Sequence, residues 1–106
     1  MFAPDTDFSV PGAASVPWTG TRSTIPEIEE FLAIATGEVE TRQFAVERIL
    51  TDGQHAIAIG NFSHWVRRTG KTFTSRFALH VQVVDGTIRM YHMFEDSYAA
   101  AEAFGT

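Results

Sequence analysis

The chain has 106 residues, thirteen Asp and Glu against eight Lys and Arg, a formal net charge of -5, and no cysteine. That size suits one domain, 1–106. The missing thiol excludes disulfides, thiol nucleophiles and Cys-containing zinc sites. An acidic balance without a basic run argues against a nucleic-acid partner, because phosphate binding relies on clustered cations. No stretch approaches the ~20 apolar residues that span a bilayer, and the first residues lack a signal-peptide layout, so the expectation is a cytoplasmic protein with no membrane partner.

Residues 1–22 are rich in Pro, Gly, Ser and Thr and read as a folded entry loop, with a short edge strand at Phe8-Ser9-Val10 stopped by Pro11. Thr24 to Ala35 reads as a helix. Thr24 and Glu27 have capping-box spacing, Pro26 is tolerated in the first turn, and Ile28, Phe31, Leu32 and Ala35 form one apolar stripe. Gly37 is expected to end it. From Thr41 to Asp96 the period changes to two, and turn signals at Asp52-Gly53, Thr69-Gly70 and Asp85-Gly86 divide the segment into four runs. Short turns require antiparallel neighbours, so the expectation is a meander of roughly 41–50, 54–67, 71–84 and 87–95. Ser97 to Phe104 is an alanine-rich helix, capped by Asp96 or Ser97 and closed by Gly105.

A two-residue turn at Asp85-Gly86 places Val84 opposite Thr87, Val83 opposite Ile88 and Leu79 opposite His92. One face then carries Phe77, Leu79, Val81, Val83, Ile88, Met90, His92 and Phe94, with Asp96 in the same parity. The other carries Arg76, Ala78, His80, Gln82, Arg89, Tyr91, Met93 and Glu95. On this register the first set faces the core, and a bulge would exchange the sets on one strand. His92 and Asp96 become the polar groups of an apolar wall, a pair suited to proton transfer near neutrality. The plain alternative is a hydrogen-bonded core histidine and a helix cap.

His80, beside Tyr91 on the opposite face, is not placed to share a metal with His92, and the histidines give no metal signature. His64 joins the Phe73 and Phe77 face only if the turn at Thr69-Gly70 holds an even residue count, and it is read here as a solvated or edge residue. Trp18, before the helix, reads as a lid over the open end of the sheet or the rim of a ligand site. Trp65 in mid-strand reads as core or subunit contact.

The order of loop and edge strand, helix, long meander and terminal helix resembles the SnoaL-like and ketosteroid-isomerase-like group of the NTF2-like superfamily. Phe2-Ala3 with Asp5 to Pro11, Trp18-x-Gly20, Thr69-Gly70-Lys71, Asp85-Gly86-Thr87-Ile88 and Phe94-Glu95-Asp96 carry the resemblance over nearly the whole chain. It implies an α+β, NTF2-like cone, in which a curved antiparallel sheet has a helix on its concave face and a short helix at the C-terminus. Members usually begin with one or two further helices that close the cavity, so the pocket is expected to be open on one side and a subunit partner is implied. The resemblance places a homodimer contact on the sheet face with His80, Gln82 and Tyr91.

The catalytic positions of the group transfer poorly. The steroid isomerases' base matches Val10, their oxyanion-holding acid matches Leu79, and the epoxide hydrolases' aspartate falls near His92. The aspartate–histidine pair of the polyketide cyclases is approached only by His92 with Asp96. The expectation is therefore a cavity lined by Trp18, Phe31, Phe77, Leu79, Met90 and Phe94 that binds a small apolar or polyketide-like molecule without a cofactor or metal. His92 would be the acid or base and Asp96 its charge partner in enolate-type isomerase or cyclase chemistry. The alternative is a non-catalytic dimerisation and binding module.

Overall fold

The computed structural model describes residues 2–13 and 15–105; the ends of the expected domain, Met1 and Thr106, and Ala14 of the expected entry loop lie outside the described residues. The chain forms β1 (Phe2–Val10), β2 (Gly20–Arg22), α1 (Ile25–Glu38), β3 (Val39–Asp52), β4 (His55–Val66), β5 (Thr72–Val84), β6 (Thr87–Glu95) and α2 (Ser97–Ala103). Six strands make one sheet in the order β2-β1-β6-β5-β4-β3. The meander β3 to β6 is antiparallel throughout, whereas β1 lies parallel to β6.

The entry segment is more ordered than its composition suggests. Instead of a loop with three strand residues, it forms the nine-residue β1 and the short β2. Buried Thr6 helps fix β1, its hydroxyl donating toward the carbonyls of Ala3 and Ile88 at 2.7 Å each. Helix α1 begins as expected: Thr24 accepts from the Glu27 backbone N–H at 3.3 Å, and the Glu27 carboxylate accepts from the Thr24 backbone N–H at 3.1 Å. Gly37 does not end it. The helix runs to Glu38, and Val39 turns straight into β3 with its N–H on the Ala35 carbonyl. The buried stripe is narrower than expected: Ile28 and Phe31 are buried, but Leu32 is 51% exposed.

Ile28 and Phe31 lie on the concave side of the sheet among Phe8, Val10, Val16, Trp18, Phe62, Phe73 and Phe77. Phe8 sits between Phe31, edge-on at 4.8 Å, and Tyr91, stacked at 4.5 Å. Asp96 caps α2, accepting from the Ala99 N–H at 2.9 Å, and the Ala100 and Ala103 face packs into the same core.

Within the meander, three bulges set which side chains face inward. Two lie in β3, between Thr41 and Gln43 and between Val46 and Arg48. The third lies in β6: Val83 pairs with Ile88, but Gln82 pairs with Met90, leaving Arg89 as the extra residue. Beyond it Leu79 faces Met93, and His80 faces His92. The expected pairing of Leu79 with His92 is therefore corrected by one residue, and every β6 side chain from Met90 onward changes face. Tyr91, Met93 and Glu95 join the concave side; Met90, His92 and Phe94 join the convex side. On the concave side of β3, Phe44, Val46 and Ile49 are exposed.

Candidate functional site

Between α1 and the concave sheet lies a hollow of about 100 Å³, lined by Val10, Trp18, Phe31, Ala35, Val39, Phe44, Phe62, His64, Tyr91, Met93 and Glu95. Its walls are mostly aromatic and aliphatic. Glu95 supplies the carboxyl group because the β6 bulge turns it inward opposite Phe77. The Trp18 indole Nε1–H donates to its Oε2 at 3.3 Å. Burial raises the Glu95 carboxyl above its ordinary value of 4.5; the Trp18 hydrogen bond opposes this, and the nearby Asp96 charge adds to it. Burial also raises the Tyr91 phenol, with the Glu95 charge in the same direction, so Tyr91 stays protonated at neutral pH.

His64 enters the hollow from β4. It pairs with Phe73, and six residues separate Trp65 from its partner Thr72, an even count that puts His64 on the Phe73 face. Its ring lies 4.2 Å from Phe62 and 6.3 Å from Trp18, and its Nδ1 is 3.1 Å from the Thr41 hydroxyl. Burial lowers its pKa below 6.5, opposed by the backbone hydrogen bond at Ser63, so the imidazole is neutral at pH 7. The hollow thus holds a carboxyl whose pKa is raised, a neutral imidazole and a protonated phenol among aromatic and aliphatic side chains.

The expected site residues divide. Trp18 and Phe31 line the hollow. Phe77 is buried behind it, and Leu79 lies further along the concave face, half-buried opposite Met93. Met90, His92 and Phe94 are on the convex face, with Phe94 47% exposed, so the expected inward placement of these three is corrected; the β6 bulge is the reason. His92 Nε2 lies 3.0 Å from the Asp7 carboxylate, although the angle does not make a hydrogen bond, and the His92 ring is 6.5 Å from that of His80. Asp96 is exposed as the α2 cap and is not paired with His92. Tyr91, expected beside His80 and Gln82, faces the hollow instead.

Glu95 and His64 are the residues that sequence reasoning missed. The signal for His64 was the even turn count; none marked the extra residue at Arg89. Val10 of the first strand also lines the hollow, but the carboxyl there comes from the last strand, at Glu95. Among the described residues, no group of three or more His, Asp or Glu is arranged to hold a metal ion, and no helix is long and apolar enough to cross a membrane.

The model of the SnoaL-like domain matches residues 1–91. The chain belongs to the SnoaL-like family. An NTF2-like protein from Burkholderia thailandensis shares 28% identity with this SnoaL-like chain, covering 99% of it and 80% of the other, at a TM-score of 0.84. TerC, co-crystallised with polyporic acid, is 22% identical over 99% of this chain and 81% of its own, at 0.82. A protein of ketosteroid isomerase-like fold from Catenulispora acidiphila, in complex with trimethylamine, is 12% identical over 98% and 76%, at 0.78. No curated protein matches the SnoaL-like sequence.

Proposed function

We propose that the Trp18–Glu95 hollow binds a small, largely apolar molecule carrying a carbonyl or enol group, and that Glu95 exchanges a proton with it in isomerase- or cyclase-type chemistry. The observation that carries this reading is a carboxyl held by the Trp18 N–H in an aromatic hollow, its pKa raised by burial. A carboxylate made more basic by its surroundings is a better base for a carbon-bound proton, and in its protonated form it returns that proton to an enolate. Tyr91 and neutral His64 are the other polar groups available to a developing enolate oxygen. The polyporic acid of TerC and the trimethylamine of the Catenulispora acidiphila protein support ligand binding within this fold while differing widely in size and charge.

The test is exchange of α-protons for deuterium in a small ketone such as cyclohexanone, followed by NMR. Acceleration by the protein that is lost in Glu95→Gln supports the reading; equal acceleration by both proteins removes Glu95 from it.

A second reading, a non-catalytic assembly module, is favoured by the exposed Phe44, Val46 and Ile49 shelf and by exposed Phe94 on the convex face. In this reading a homodimer covers one of these faces. Sedimentation of a fully folded monomer at micromolar concentration argues against it.

A further inference from the structure

Resting on the reading of the hollow as the ligand site, we infer that Phe44 is its size filter, limiting the occupant to roughly one small ring or less. At about 100 Å³ the hollow is smaller than the ~150 Å³ apolar cavity that accommodates benzene, so a ligand of one ring fits only by extending toward the mouth. Phe44 stands there. It lines the hollow yet is 57% exposed, whereas Trp18, Phe31 and Phe62 are buried and enclosed by other rings.

The ring of Phe44 stacks on Phe77 at 5.2 Å and 22°. Phe77 is the fixed partner of the two, because its ring occupies the space left by the missing side chain of Gly60, 2.9 Å from where a Cβ would sit. Phe44 is the movable partner. Its strand is the edge of the sheet, and bulges lie on both sides of it, between Thr41 and Gln43 and between Val46 and Arg48. A half-exposed aromatic wall, on an edge strand with interrupted pairing on either side, is the part of this hollow that decides how far a ligand can extend.

The occupant this selects is a compact carbonyl or enol with an apolar body, seated against Glu95. Phenol and 2-naphthol are suitable probes, since a phenolic O–H presents the same group as an enol on one ring and on two. Calorimetric titration of each probe is paired with the Trp18 indole N–H resonance, which reports occupancy of this hollow and not of the surface.

In Phe44→Ala, the dissociation constant for 2-naphthol is expected to fall at least tenfold, while that for phenol changes less than threefold. Phe44→Leu, which keeps an apolar side chain on β3, is expected to move in the same direction and serves if the alanine variant does not fold. Phe44→Trp is expected to weaken phenol binding. Phenol binding that perturbs Trp18, with 2-naphthol affinity unchanged in both smaller variants, overturns the filter and leaves the hollow as the site. Failure of both probes to perturb Trp18 in any of the proteins overturns the site and the filter together.

Discussion

Replacing Gly60 by Ala tests the strand register that builds the site. Gly60 lies in β4 between Val46 of β3 and Phe77 of β5. It has no left-handed backbone to relieve, so the effect of a methyl group comes from space alone. A Cβ there meets the Ala45 carbonyl oxygen, a backbone atom that moves only with its strand, and lies 2.9 Å from the Phe77 ring. Overpacking of this kind costs about 1–3 kcal/mol, with a backbone collision at the upper end, and the lower chain entropy of Ala returns about 0.5–1 kcal/mol. The net loss is about 2 kcal/mol, which at roughly 4–8 °C per kcal/mol lowers Tm by about 8–16 °C. Gly37→Ala is the control: a Cβ meets nothing within 4 Å on this helical residue, so it is expected to stabilise by about 0.5–1 kcal/mol. Thermal and urea unfolding followed by circular dichroism read both. A Gly60→Ala protein within about 0.5 kcal/mol of the parent, well short of the overpacking cost, refutes the close approach of β3, β4 and Phe77.

Glu95→Gln is expected to abolish ligand-dependent proton exchange while raising stability at neutral pH. The native Glu95 pKa lies above its ordinary 4.5, so the stabilisation from holding its proton is complete below 4.5 and is lost as pH rises through the native value. The Tm difference between variant and parent should therefore widen from pH 4 to pH 8; a constant difference contradicts the burial of Glu95. His64 has the opposite sign: its pKa lies below 6.5, so its contribution is complete above 6.5 and declines as pH falls toward the native value. Its ring resonances in NMR should titrate below 6.5, and the stability decline below pH 6.5 should be shallower in His64→Gln. Trp18→Phe removes the hydrogen bond that lowers the Glu95 pKa, so any activity governed by Glu95 should shift its pH profile upward. Thr24→Ala removes the Oγ1 acceptor of the α1 capping box and should lower stability by about 0.5–2 kcal/mol in urea unfolding, leaving the Glu95 pKa unchanged.

The helix cap, the three turns and the four long strands were legible because each rests on local chemistry: a Thr three residues before a Glu, an Asp-Gly or Thr-Gly pair between alternating runs. The inward face of β6 was not. Ile88, Met90 and Phe94 are apolar in one parity, and Tyr91 and Met93 are apolar in the other, so alternation assigns either set to the core. One extra residue at Arg89 then decided whether His92 or Glu95 carried the carboxyl or imidazole of the hollow. The length of β1 was hidden for another reason. Pro4, Asp5 and Asp7 depress strand propensity, and the strand forms because it pairs with β6 and the Thr6 hydroxyl donates toward the Ala3 carbonyl of β1 and the Ile88 carbonyl of β6. The extension of α1 past Gly37 follows from the direct passage into β3, in which the Val39 N–H finds the Ala35 carbonyl without a glycine cap.

The carboxyl carbon of Glu95, followed by NMR across pH in the free protein and with phenol present, addresses the proposed chemistry at its source. The expected midpoint lies above 4.5 in the free protein, with a further displacement when phenol occupies the hollow. A midpoint at the ordinary value, unmoved by phenol, contradicts that chemistry.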